Sequence, residues 1–546
     1  MRLRSVALGT GLFGATAVSA AKNGLPVDKI YGTNVGIMTL FTLYKTHRLR
    51  SFTQLGSWLL VEPWMLPKEW MNKMGGETCN DCSTCAASEF DLVKKIGQEK
   101  ADWVFDEHWA TWFTEKDADA IKNANLNALR IPLGYWIVES LVDRSTEYYP
   151  RGGIKYLKKG LRWLKERGIH VILDHHALPG VASANQMFAG RCVDQSQVQF
   201  YTEKNYKRAL IWAGVMTALT HTDPDWSSVF AIEAINEPTQ DATKTPGYGD
   251  YQKRFVQVVR LVEYALGIKC PDADYTKLFS ISSYSDSFDK GLLEVAAQLD
   301  DTVLAEVLKA TAAALKTITA ELDLSINLSL DVDISLRRSF SHSSPELDKA
   351  EPAEPIAPHG SSFESRNARR RLHHERGISA KLGKDVCRTC LMTTFQNMHW
   401  QYNNPPNPAD AANGPQLYDA HLYFSFGGVA DPNAESYMKT ICNTDRVANA
   451  KAVGNSPLVF GEWSLATNFA HTTEFIQDWA DAQRFIYAGQ ADGWFFWSFK
   501  IEEGSPNIPY WSYFESLKAG YFTNDPSKLA NPDVCKPWIA NSTTPA

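Results

Sequence analysis

The sequence predicts a (β/α)8 TIM barrel carrying a long, partly disordered insertion, and three observations lead there. Eight short runs rich in β-branched and aromatic residues recur along the chain. Amphipathic helical stretches separate several of them, the alternation expected of a closed parallel barrel. Polar residues capable of chemistry fall in or at the ends of these same runs, where a barrel builds its active site.

The runs are Lys29 to Val35, Asn127 to Leu133, His170 to His176, Val229 to Asn236, Leu391 to Gln396, Tyr418 to Phe424, Leu458 to Trp463 and Gly493 to Phe499. Apolar residues at helical spacing are clearest in Glu115 to Asn125, Ile154 to Arg167, Asn205 to Thr220 and Thr473 to Ala488. Ahead of the first run, Arg2 and Arg4 precede an apolar stretch from Val6 to Val18 and the small-residue pattern Val18-Ser19-Ala20. Residues 1–20 therefore read as a secretory signal peptide, and 21–546 as the catalytic barrel. The leader is too short and too rich in Gly and Ala to span a bilayer core of about 30 Å.

Two segments break the spacing. Residues 36–54 are alien in composition to a barrel strand, as a retained intron in the gene would make them. The second interruption runs from about 269 to 384. Its first part, Gly291 to Leu324, has helical apolar spacing; its second, Ser339 to Arg376, is rich in Ser, Pro and charge and reads as disordered. The expectation is that 36–54 and 339–376 lie outside the packed barrel.

Composition narrows the function. A formal net charge of −7 argues against nucleic acid or an anionic membrane as partner, since either would need a basic face. The basic run Arg366 to Arg376 lacks aromatic interleaving and reads as a solvated segment. Seventeen Trp invite a carbohydrate reading, because their faces stack on sugar C–H groups, although burial in the core accounts for Trp equally well. Nine Cys suit an oxidising compartment, and the odd number leaves at least one unpaired within the chain. Cys79, Cys82, Cys85 and the pair Cys387/Cys390 raise a zinc alternative, but no His follows at finger-like spacing, so disulfides are preferred.

Two Glu end separate strand-like runs, in Ala231-Ile232-Glu233-Ala234-Ile235-Asn236-Glu237-Pro238 and Val459-Phe460-Gly461-Glu462-Trp463-Ser464. Hydrolysis of a glycosidic bond takes two carboxyl groups flanking the anomeric carbon, about 5 to 5.5 Å apart in a retaining enzyme. Barrel closure can bring such a pair together.

An ordered set of motifs accompanies them: Leu129-Arg130-Ile131-Pro132-Leu133-Gly134-Tyr135-Trp136, Asp174-His175-His176-Ala177-Leu178-Pro179-Gly180, Asn236-Glu237-Pro238, His421-Leu422-Tyr423, Phe460-Gly461-Glu462-Trp463-Ser464 and Gly493-Trp494-Phe495-Phe496-Trp497. In these the chain resembles family-5 glycoside hydrolases, in particular the fungal branch of exo-β-1,3-glucanases and endo-β-1,6-glucanases. The resemblance implies a secreted or cell-wall, monomeric, retaining hydrolase of β-glucan with no metal or organic cofactor. It implies Glu237 as general acid/base, with a raised pKa, and Glu462 as nucleophile. Asn236 would bond the sugar 2-hydroxyl, Arg130 would hold Glu462 ionised, and His176, His421 and Tyr423 would line the reacting subsite. Trp497 would be the sugar platform, and Glu62, in Leu60-Val61-Glu62-Pro63-Trp64, would bind terminal hydroxyls.

Departures from the family pattern remain. The family commonly reads Asp-Leu-His-Gly-Ala-Pro-Gly where this chain has Asp174 to Gly180, and its Gly-x-Asn-Leu-Gly-Ser-Trp motif is split here between Gly32-Thr33-Asn34-Val35 and Leu55-Gly56-Ser57-Trp58. The split leaves the position of Glu62 open. β-1,3 and β-1,6 linkage both stay in play, as do a catalytically silent glucan-binding wall protein and a retaining hydrolase of mannan or cellulose.

Overall fold

Side chains on a strand alternate between its two faces, so eight parallel strands closed into a ring stack their inward residues in layers. The computed structural model describes residues 24–34, 57–79, 82, 85–279, 291–322, 389–402, 406–505 and 508–539. Its strands are β1 (Ile30–Asn34), β2 (Ala128–Gly134), β3 (His170–Ala177), β4 (Val229–Glu233), β5 (Met392–Gln396), β6 (Gln416–His421), β7 (Leu458–Glu462) and β8 (Gly493–Phe496). They form a closed barrel in chain order, with β1 pairing in parallel to both β2 and β8.

The lowest inward layer is apolar and takes one residue from every strand: Ile30, Ala128, Ile172, Ala231, Met392, Leu417, Val459 and Phe495, joined by Leu25. Two residues further along β1 to β7 the same face carries Gly32, Arg130, Asp174, Glu233, Thr394, Asp419 and Gly461. Period 2 thus seals the barrel floor with hydrocarbon and places a polar layer directly above it. The residues facing outward, such as Leu129, Leu173, Ile232 and Phe460, belong to the main core shared with the helices.

The helices lie close to their expected spans, at Glu115–Asn123, Gly153–Glu166, Glu203–Thr222 and Thr473–Gly489. The first is opened by a capping box in which Thr114 and Asp117 each bond the other's backbone. No α-helix of the described residues links β5 to β6; two short 3-10 turns, Met398–Gln401 and Pro408–Ala411, make that crossover. The first part of the long interruption is helical, as its spacing predicts, at Leu292–Ala297 and Thr302–Glu321. It packs into the outer helical layer: Leu304, Leu308 and Leu315 are buried, and Gly214 of the helix Glu203–Thr222 leaves room for Thr311. Residues 1–20, 36–54 and 339–376 lie outside the described residues.

Four disulfides join Cys79 to Cys85, Cys82 to Cys192, Cys270 to Cys390 and Cys442 to Cys535. All three members of the Cys79/Cys82/Cys85 cluster are therefore bound in disulfides. Cys390 pairs across the interruption, not with its neighbour Cys387, which lies outside the described residues.

The Gly214 contact is testable. A Cβ there would sit 2.6 Å from Thr311 Oγ1. Gly214→Val should lower unfolding free energy by about 1–3 kcal/mol through overpacking, read by chemical denaturation, with unchanged kcat. Unaltered stability would mean that the two helices do not approach this closely.

Candidate active site

Arg130 stands in the polar layer of the barrel, fully buried. Its Nε donates to Glu233 Oε2 at 2.8 Å, its Nη1 to Glu462 Oε1 at 2.9 Å and to Asn34 Oδ1 at 3.3 Å, and its Nη2 to Asn236 Oδ1 at 2.8 Å. Asp174 Oδ2 lies 3.1 Å from Nη1 and Asp419 Oδ2 3.6 Å from Nε. Burial alone would lower the Arg130 pKa, but Asp174, Glu233, Glu462 and Asp419 hold it well above its ordinary value.

Glu462 ends β7, where strict alternation after Gly461 would turn it outward. A register shift between Ala420 and His421 pairs Glu462 with His421 and brings it into the cleft. Its second oxygen accepts from Tyr423 Oη at 2.9 Å. Gly461 is required here: its N–H donates to Asp419 Oδ1 at 2.6 Å, and a Cβ would lie 2.1 Å from Asp419 Oδ2.

Strand β4 stops at Glu233, four residues short of Glu237. Glu237 takes φ +39°, a left-handed conformation that costs a non-glycine residue on the order of 1–3 kcal/mol. Its neighbours hold it there. Ser183 Oγ donates to the Glu237 carbonyl, Trp400 Nε1 to the Pro238 carbonyl at 2.7 Å, and Gln401 Nε2 to the Thr239 carbonyl at 2.7 Å.

His421 joins the two carboxyls. Its Nδ1 is 2.8 Å from Glu237 Oε1 and 3.5 Å from Glu462 Oε2, and its Nε2 is 3.2 Å from Asp419 Oδ2. Burial would lower its pKa, but Glu462, Asp419 and Glu237 raise it well above 6.5, so the ring is an imidazolium at neutral pH. Gln396 Nε2 lies 3.0 Å from His421 Nε2. An oxygen of Glu237, a nitrogen of His421 and an oxygen of Glu462 all lie within 4.8 Å of one another. The other such group, Glu263, Cys270 and Cys390, has its sulfurs tied in a disulfide.

His176 and Asn236 fix each other's orientation. His176 Nδ1–H donates to Asp174 Oδ2 at 2.5 Å, which leaves Nε2 to accept from Asn236 Nδ2 at 3.2 Å. Asn236 therefore turns its oxygen to Arg130 and keeps one amide hydrogen for a ligand. Trp497 lies nearly parallel to His176, centroids 5.7 Å apart.

Glu62 lies in the same cleft, although the chain that leads to it is outside the described residues. Its N–H donates to Ser57 Oγ at 2.8 Å, and its Oε2 accepts from Trp64 Nε1 at 2.9 Å. Burial pushes its carboxyl up to about 7, against His176 and Trp64, with Glu462 and Glu237 adding to the rise. Glu462 is also raised, by burial first and by Glu237, while His421 and Arg130 pull it down.

Every residue expected at the site is thus gathered at one end of the barrel. Glu233, Asp419, Asn34 and Gln396 were missed. Inward parity with Arg130 and His421 was the signal for all four.

A family profile described as Cellulase (glycosyl hydrolase family 5) matches residues 93–298. Glucan endo-1,6-beta-glucosidase B of Emericella nidulans is 26% identical over 541 residues, covering 97% of this chain and 93% of that protein. The chain is an O-glycosyl hydrolase that carries the family-5 profile over residues 93–298. A probable glucan endo-1,6-beta-glucosidase B of Aspergillus flavus is 36% identical over 219 residues, 40% of this chain and 53% of that protein. A probable glucan 1,3-beta-glucosidase A of Aspergillus fumigatus is 30% identical over 220 residues, 38% of this chain and 46% of that protein. An oxygen of Glu237 lies within 4.8 Å of one of Glu462, closer than the roughly 6.5–9.5 Å that an inverting pair needs.

Two outcomes follow from the glycosyl hydrolase site. Gly461→Ala should displace Asp419 and lower kcat by about 10²-fold, the usual result of roughly 1 Å misplacement at a reacting centre, with circular dichroism unchanged; wild-type turnover would contradict the close approach. His421 carries a raised pKa, so its charge contributes stability in full below 6.5 and loses it as pH rises through the higher folded value. The difference in unfolding free energy between wild type and His421→Asn should be largest below pH 6.5 and narrow above it. A pH-independent difference would mean a neutral ring.

Proposed function

We propose that the protein is a secreted, retaining β-glucan hydrolase that cuts β-1,6-linked glucan internally, with Glu462 as nucleophile and Glu237 as acid/base. One observation carries the role assignment: Arg130 and Tyr423 each aim a donor at a different oxygen of Glu462. That arrangement favours the carboxylate and leaves a lone pair directed at the cleft. Burial raises Glu462, and the two aligned donors, from Arg130 and Tyr423, support it as the anion of the pair.

In the first step Glu462 attacks the anomeric carbon as Glu237 gives its proton to the departing glycosidic oxygen, forming a glycosyl ester and a free hydroxyl. In the second, Glu237 takes a proton from water, whose oxygen replaces Glu462 at the anomeric carbon. The configuration is retained. The free amide hydrogen of Asn236 suits the sugar 2-hydroxyl, and the contact with His176 Nε2 keeps that amide turned correctly. Trp497 offers a face for the reacting ring, and Glu62 with Trp64 offers hydroxyl partners beyond it.

Internal cleavage needs sugar contacts on both sides of the carboxyl pair. Tyr423 touches Glu462 and packs on Trp511, which meets Phe426 and Trp64. On the other side, Trp400 is bonded to Pro238, next to Glu237, and Tyr402 stands 70% exposed nearby. The full-length relative's name supports the β-1,6 linkage. The 1,3-glucosidase relative keeps β-1,3-glucan as the second reading. Four disulfides support an oxidising, extracellular setting, and no helix of the described residues is long and apolar enough to cross a membrane.

Linear β-1,6-glucan should shorten before glucose accumulates; early release of glucose alone, from β-1,3-glucan, would overturn the linkage and the mode together. For the roles, Glu462→Ala should lose hydrolysis but form an α-azide adduct from an activated β-glycoside, because azide fills the space of the missing carboxylate. Glu237→Ala should lower turnover of glucan by about 10²–10⁴-fold, the worth of a general acid, and give a β-azide adduct. Swapped configurations would reverse the assignment.

A further inference from the structure

The buried layer around Arg130 holds more acid than it has cations to match. Arg130 and His421 face Asp174, Glu233, Asp419 and Glu462, all four carboxyls being at least 95% buried. Charges taken from water without a partner are costly, so a layer of this composition relieves itself by protonating a member.

The hydrogen-bond inventory identifies which one. Asp419 accepts from the Gly461 N–H and from His421 Nε2, with Arg130 Nε nearby. Asp174 takes both its donors on Oδ2, from His176 Nδ1 and, at 3.1 Å, Arg130 Nη1, while its Oδ1 is buried without a partner among the described residues. Glu462 accepts from Arg130 and Tyr423. Glu233 accepts only from Arg130 Nε, and its Oε1 is buried with no partner among the described residues. Around it stand Arg130 on β2, Asp174 on β3, Asp419 and His421 on β6, Glu462 on β7 and, from the helix Tyr248–Ala265, the phenol of Tyr248. On β5 its register partner is Thr394, whose buried hydroxyl also lacks a partner among the described residues.

We propose that Glu233 is a positioning residue that carries a proton at neutral pH, a neutral carboxylic acid that orients the Nε edge of Arg130 and leaves the guanidinium charge for Glu462. Burial first, then Asp419 and Asp174, push it well above the ordinary carboxyl value, against the pull of Arg130. A neutral Glu233 still accepts from Arg130 through its carbonyl oxygen, more weakly than an ionised one would, and does not compete with the nucleophile for positive charge. The functional part of this inference rests on Glu462 as nucleophile; the protonation state does not.

The test compares variants and reads the proton directly. Glu233→Gln keeps the acceptor and the charge, so kcat/KM should fall by less than about tenfold while the acid limb of its pH profile stays in place; about 1.4 kcal/mol corresponds to that factor. Glu233→Ala removes the acceptor and should cost about 10²-fold as Arg130 shifts. If Glu233 were an anion, Glu233→Gln would ease ionisation of Glu462 and move the acid limb downward by about one unit or more, which would overturn the proposal. Infrared difference spectra of wild type minus Glu233→Gln should show a protonated carboxyl band; a carboxylate band in its place would also overturn it. Neutron diffraction of the wild-type enzyme needs no variant: deuterium on Glu233 is expected, and a bare carboxylate refutes the proton whichever carboxyl is the nucleophile.

Discussion

One guanidinium, shut inside a barrel, organises this active site. Arg130 reaches side chains from β1, β3, β4, β6 and β7, so five neighbouring strands report their register to a single planar group. Its fork geometry suits the task, because the donors diverge in one plane and cannot be redistributed by rotating about a single bond as those of a lysine ammonium can. The low dielectric of the interior makes each contact strong and each loss costly. Removing Arg130 would strand several buried acids at once, so its structural and chemical roles cannot be separated by simple truncation.

From that layer the site is built outward by less regular means. Strand geometry ends at Glu233, and the chain carrying Asn236 and Glu237 is held by side chains from the β3 and β5 loops. The segment with Glu62 is likewise anchored from several directions: Glu89 accepts from the Val61 N–H, Glu502 from the N–H groups of Lys68 and Glu69, and His108 bonds the Ser57 carbonyl. Ladder hydrogen bonds fix the strand of Glu462, and side-chain bonds fix Glu237. Rigidity of the second kind depends on many individual residues, which is where variation between related enzymes can alter substrate contacts without disturbing the barrel.

Much of this was legible in the sequence because two periodicities were intact. Period 2 marked the strands, period 3.6 the helices, and apolar runs ending in Asn236-Glu237 and Glu462 marked the chemistry. Strand four was read three residues too long because Ala234, Ile235 and Asn236 continue the apolar pattern while the backbone leaves the sheet. Glu233 and Asp419 went unremarked because an acid within an apolar run resembles an exposed strand residue; only the parity shared with Arg130 shows that they point inward. Disulfide pairing was not legible at all, since proximity of Cys270 and Cys390 depends on how a helix end and a strand start meet in space.

That last pairing has an architectural consequence. Cys270 and Cys390 stand 5.4 Å apart at their Cα atoms although 120 positions separate them in the chain. The chain between them leaves and returns at one covalently closed point, just ahead of β5. Closure entropy grows only logarithmically with length, roughly 0.6 kcal/mol per doubling. The chain between the two cysteines can therefore lengthen or shorten over generations at little thermodynamic cost, while the catalytic ring keeps its circumference.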